Sequence, residues 1–142
     1  MKIFSYEHTI TLEDTSAESD VYWNNFGSLF GRAREHFLKS FLPEIPKIFQ
    51  FLKEERGITI ATQDFYSKFC KPIYHEDIVL VNIYICELNP ASAVMAFSIT
   101  NKITGELHGE GKQKVVFINL EKGKPTRLPL EIKEVAKQYM PQ

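Results

Sequence analysis

The chain has little of what would place it quickly. Of its 142 residues only two are cysteine, and one is tryptophan. Cys70 and Cys86 fit no metal-ligand or redox spacing. Each lies in a strand-like run, so they read as buried thiols of a cytoplasmic protein rather than as a disulfide. No apolar run approaches the length of a membrane span, and the N-terminal MKIFSYEHTITL lacks the apolar segment of a secretory signal. The net charge is −1, so no global field draws the chain to nucleic acid or to an anionic membrane. His8, His36, His75 and His108 have no spacing that suggests a metal or a cofactor, and each reads as a surface residue. Repeats and low-complexity tracts are missing too. What remains is a chain with 44% hydrophobic and 25% charged residues, the size of one ordinary domain with one core, spanning residues 1–142.

The pattern along the chain is mixed. Residues 2–12 alternate apolar and polar and predict a strand; residues 13–22 are acidic and small and predict a loop. Residues 23–42 predict a long helix. With Phe26 at zero and about 100° per residue, Phe30, Ala33, Phe37 and Phe41 fall within about 60° of it, and Ser28, Arg32, Glu35 and Lys39 cluster opposite. Pro43 and Pro46 end this helix, residues 46–56 predict a second, and Gly57 is its C-terminal signal. The period then changes to two over residues 58–70, 77–88, 91–101 and 106–120, which are rich in β-branched and aromatic residues. Asn89-Pro90 and the run Lys102–Gly105 mark hairpin turns, and Pro129–Gln138 predicts a final short helix. Tightly joined strands pair antiparallel, so four in a meander with one wide apolar helix predict an α+β domain, a curved antiparallel sheet wrapped around that helix.

One detail of the long helix points to a site. Arg32 and Arg34 are two positions apart, about 200° on a helix, so they face nearly opposite ways. Arg32, at about −120°, is expected to face water. Arg34, at about 80°, lies between Phe30 and Leu38 on a flank shared with Gly27 and Gly31. Interior helical glycine costs about 1 kcal/mol relative to alanine, so something is expected to approach that backbone closely. Tight packing with Arg34 paired to a carboxylate is one reading; a cleft in which Arg34 holds an anionic or carbonyl group is the sharper one. The helix start adds free N–H groups, around Tyr22 and Trp23, suited to an oxygen that gains negative charge.

These residues carry a family resemblance. Asp14-Thr15-Ser16, followed by Val21-Tyr22-Trp23-Asn24-Asn25-Phe26, resembles a segment D-T-D…G-x-V-Y-(H/Y)-x-x-Y, and Gly31-Arg32-Ala33-Arg34-Glu35-His36-Phe37-Leu38 resembles the helix that follows it. The family is that of the hot-dog fold acyl thioesterases of the 4-hydroxybenzoyl-CoA thioesterase type. Phe69–Asp77 resembles its Y-x-x-P-x-x-x-x-D turn, Gly109–Lys112 with Val115–Ile118 its last strand, and Lys124-Pro125 with Leu128-Pro129 its tail. The resemblance implies a curved five-stranded antiparallel sheet around a long central helix. It further implies thioester hydrolysis on CoA or acyl carrier protein, and sites at the interface of a homodimer or homotetramer.

Departures from the pattern bear on mechanism. The family's catalytic aspartate, the second of D-T-D, is Ser16 here, and the frequent histidine after Val-Tyr is Trp23. Serine alone is a poor base. The thioesterases of enediyne polyketide synthases, which this chain is similar to in motif, also lack that acid. Their likeness implies that Arg34 and helix-N-terminal amides near Trp23 bind the thioester or a β-keto oxygen. Ser16 would then position water. Tyr22, Asn25, Phe26, Phe30 and Thr62 are the expected substrate contacts, with Phe49, Phe51 and Gln63 as further pocket candidates. Two rivals stand beside this: a relocated carboxylate base such as Asp14 or Asp64, and a binding module without turnover. Lys68, Lys112 and Lys114 are expected to be solvated strand positions.

Overall fold

A computed structural model describes residues 2–15 and 25–141. Six strands and three helices follow in the order β1 (Phe4–Thr9), α1 (Phe26–Phe41), α2 (Ile48–Arg56), β2 (Ile58–Phe69), β3 (Ile78–Leu88), β4 (Ser92–Asn101), β5 (Leu107–Asn119), β6 (Lys124–Pro125) and α3 (Leu130–Lys137). A 3-10 turn, Leu12–Asp14, follows β1. Each long element falls where periodicity predicts it, with ends shifted by a residue or more; positions 23 and 24 of the expected helix lie outside the described residues.

The pairing order is β1-β3-β4-β5-β2, all antiparallel, with the two-residue β6 added beside β5. This corrects the expected four-strand meander. Only β3, β4 and β5 are joined as one, because the eight residues from Cys70 to Asp77 are not a tight turn. The amides of Cys70 and Lys71 both donate to the His108 carbonyl at 2.9 and 3.0 Å, and Ile73 is fully buried. Ile10 and the 76–77 pair then exchange backbone hydrogen bonds, so the chain crosses over and delivers β3 beside β1. Strand β2 is left on an edge, against β5.

Helix α1 lies across the sheet. Its buried positions include the predicted arc of Phe26, Phe30, Ala33, Phe37 and Phe41, and Leu29 and Leu38 widen it on either side. Gly111 makes the close approach possible: a Cβ there would sit 2.6 Å from the Tyr66 carbonyl oxygen and 2.8 Å from the Phe30 ring. Full burial of each such phenylalanine is worth about 1.5–3 kcal/mol. The C-terminal end of the helix is closed by α3, whose neighbour Tyr139 meets the Phe37 ring edge-on at 4.9 Å. No helix among the described residues is long and apolar enough to cross a membrane.

Candidate functional site

Strand β2 changes phase half-way. The register runs Thr62 against Val115 and then Asp64 against Lys114, so Gln63 is an inserted bulge residue. Before it, Ile58, Ile60 and Thr62 share a face; after it, Phe65, Ser67 and Phe69 take over that face. The outcome is a ladder of contacts between β2 and α1. Arg34 donates to the Thr62 hydroxyl over 3.4 Å. The Phe65 ring lies 5.9 Å from that of Phe30, and 3.7 Å from where a Gly27 side chain would start. Phe69 lies 6.0 Å from Phe26.

Behind Arg34 and Thr62 the sheet, α1 and α3 enclose a cavity of about 100 Å³. Apart from these two, the described lining residues are apolar, with Leu38, Ile60, Ala93, Met95, Val115, Ile132 and Ala136 among the walls and Phe49 of α2 at one side. Gln113, buried in the β5 face between Gly111 and Val115, donates to the same Thr62 hydroxyl at 2.7 Å. Thr62 therefore accepts twice, and its own proton is left to aim elsewhere.

The two arginines end in different surroundings. Arg32 does not simply face water, as expected; its Nη1 reaches back to Asp14 Oδ1 at 3.2 Å and lies 3.2 Å from His8 Nε2. Arg34 is half-buried and has no carboxylate within ion-pair distance among the described residues. No described residue comes within 4 Å of a would-be Cβ at Gly31, so the close approach expected there is not made by the described residues of one protomer.

Among the described residues Asp14 is the one ionisable group with a clear shift. Burial pushes its carboxyl upward, but the Thr11 backbone amide at 2.9 Å, the His8 ring at 2.9 Å and the Thr11 hydroxyl at 3.1 Å more than offset this. The result is a pKa of about 2 against the usual 3.8. Both of its oxygens are occupied, so it is a poor proton acceptor at neutral pH. Asp64 is exposed and stands opposite Lys114.

The residues picked from sequence separate into groups. Arg34 and Thr62 meet at the cavity mouth, and Phe49 is on its wall. Phe26 and Phe30 are fully buried under β2 and β5 and belong to core packing, not to the cavity lining. Asn25, half-buried, is the residue before α1 and lies near Glu13, Asp14 and Arg32. Ser16, Tyr22 and Trp23 lie outside the described residues. Two histidines depart from the surface reading: His8 is paired with Asp14, and His108 is buried with Nδ1 3.4 Å from the Lys71 carbonyl. Gln113 was not singled out; its only signal was being the polar member of the alternate positions Gly109, Gly111, Gln113, Val115 and Phe117.

Residues 10–137 match the model of the thioesterase-like superfamily. The chain belongs to that family. Its class is thioester hydrolase, as the motifs imply. An acyl-CoA thioesterase, YbgC, of Haemophilus influenzae is 24% identical over 130 residues, 92% of this chain and 91% of the relative. A 1,4-dihydroxy-2-naphthoyl-CoA thioesterase from Synechocystis superposes with a TM-score of 0.86 at 22% identity, covering 96% of each chain. The dynemicin thioesterase, whose crystal structures reveal effects of polyene binding on that protein, superposes with a TM-score of 0.88 at 23% identity over 99% of each chain. At these identities the structural likeness establishes the curved sheet around a helix. Within this superfamily fold, the cavity opens at Arg34 and Thr62, at the edge of the sheet.

Proposed function

We propose that the chain hydrolyses acyl thioesters, with Arg34 holding the thioester oxygen and the apolar cavity behind it taking the acyl group. One observation carries this: a half-buried guanidinium at the mouth of an apolar cavity, with no carboxylate partner among the described residues. Such a donor strengthens its hold as the tetrahedral oxyanion forms, and each donor of this kind is worth about 3–4 kcal/mol. The leaving thiol is that of CoA or of the same pantetheine arm on an acyl carrier protein; both present the same bond.

The helix start completes the oxyanion site in this reading, and it does so from a second copy. Phe26 and Arg34 are eight residues apart, about 12 Å along the axis, too far for one oxygen to meet both ends of one helix. The β2 edge exposes Phe65, Tyr66 and Phe69, and an edge with that composition invites a partner strand. A two-fold near Phe65 sets residue 62 of one copy against residue 68 of the other. By the ladder above, Arg34 of one copy then faces the start of α1, near Tyr22, Trp23 and Asn25, in its partner. The homodimer is the unit that acts; a tetramer would leave this pairing intact.

Ser16 positions the attacking water. The pattern lacks the usual aspartate, and a general base is worth about 10²–10⁴ in rate, so turnover is slow. A reactive acyl or β-ketoacyl thioester tolerates that loss if the oxyanion and positioning contributions remain. The occupied, low-pKa carboxylate of Asp14 argues against a base relocated there. The test is thiol release from acyl-CoA and acyl carrier protein substrates by wild type and Ser16→Ala. Release by wild type, reduced in the variant, is expected. Binding with no release from any substrate would contradict the enzymatic reading and favour a non-catalytic binding module.

A further inference from the structure

Resting on that reading of the site, we infer that the cavity behind Arg34 selects short, wholly apolar acyl tails, of about four to six carbons, and that Ala93 and Ala136 set this limit. The register gives its depth. Thr62 on the edge strand pairs with Val115, Val115 with Ala93, and Met95, two residues on, with Ile85, so the lining runs three strands in from the mouth, about 14 Å. Ala136 and Ile132 of α3 close the far side; both are 2% exposed. Volume is the tighter bound. A dry cavity of about 150 Å³ takes the six carbons of benzene, so a cavity of about 100 Å³ takes about four carbons beyond those held at the mouth. Among the described residues the polar groups of the lining are Arg34 and Thr62, so a tail ending in a hydroxyl or carboxylate would be stripped of water with no deeper described group to meet it.

Alanine at two wall positions is what leaves this room. A leucine at either would fill the end of the cavity; loss of the Ile132 side chain would extend it. Each methylene buried in such a space is worth about fourfold in binding, so affinity should climb with length and then break when the space is full.

The test uses S-alkyl-CoA thioethers, which lack the carbonyl and are not hydrolysed, with chains from two to twelve carbons. Dissociation constants by calorimetry are expected to fall about fourfold per carbon until about the sixth, and to rise or level thereafter. Ala136→Leu should move the break shorter and Ile132→Ala longer, each judged on protein with an unchanged far-UV spectrum. Should either variant fail to fold, the wild-type series decides alone. Dodecyl binding tighter than hexyl overturns the inference, as does a series flat in chain length. Thiol release from the matching acyl-CoA esters is read separately. Its absence, with the length pattern intact, would strike the hydrolytic reading and leave the cavity's selectivity standing.

Discussion

The buried Gln113 amide donates to the Thr62 hydroxyl over 2.7 Å, and the Arg34 guanidinium meets the same oxygen at 3.4 Å. Thr62 thus links a fixed group in the sheet to a long, otherwise adaptable side chain. Gln113 acts on Arg34 through Thr62 and is a positioning residue. Gln113→Leu is expected to lower kcat about tenfold with little change in thermal stability, since an apolar residue replaces a buried polar one. Thr62→Val should reproduce the loss and Thr62→Ser should not. Steady-state kinetics on the three variants check this.

Asp14 ties the 3-10 turn to β1 and α1 through Thr11, His8 and Arg32. Its folded pKa, about 2, lies below the usual 3.8. A depressed acid stabilises the fold above its unfolded pKa, and that stability is lost as pH falls toward the folded value. The contribution, about 2 kcal/mol, should be whole above about pH 4 and disappear between about pH 4 and 2. Urea titrations across that range are expected to show the slope in wild type and its loss in Asp14→Asn, which should also be the less stable protein at pH 7.

Glycines at two places make opposite predictions. At Gly111 an added methyl collides with the Tyr66 carbonyl and the Phe30 ring, so Gly111→Ala should lose about 1–3 kcal/mol by denaturant unfolding. At Gly31 the space is open, so Gly31→Ala should gain up to about 1 kcal/mol in the protomer from helix propensity alone. A destabilisation by Gly31→Ala that grows with protein concentration would mean a second chain packs on that face.

The exposed aromatics of β2 predict the assembly. A Tyr66→Asp, Phe69→Asp double variant places charges along the edge and is expected to sediment as a monomer, with turnover lost and far-UV dichroism retained. An active monomer would remove the partner's helix start from the mechanism.

The sequence was informative where one physical signal dominated. The apolar arc of α1, the C-terminal Gly57 and the alternation of the strands depend on local periodicity, and each element appears near its expected place. Strand order was not legible, because it depends on how Cys70–Asp77 crosses the domain, which alternation does not encode. Arg34 and Thr62 were both named from sequence, and they meet. Phe26 and Phe30 were expected to touch substrate; they pack under Gly109 and Gly111, about eighty residues further along the chain, a separation that no local pattern reports. Arg32 is exposed, as the helical wheel reads it, but its pairing with Asp14 was not legible, because a wheel knows nothing of a residue arriving from another element.

The measurement that bears most directly on the account is kcat/KM for thiol release by wild type, Arg34→Lys and Arg34→Ala on one acyl-CoA substrate, at matched thermal stability. A guanidinium gripping the developing oxyanion predicts a fall of about 10²–10³ for Arg34→Ala, carried by kcat, with partial recovery in Arg34→Lys. Turnover by Arg34→Ala equal to wild type would contradict it.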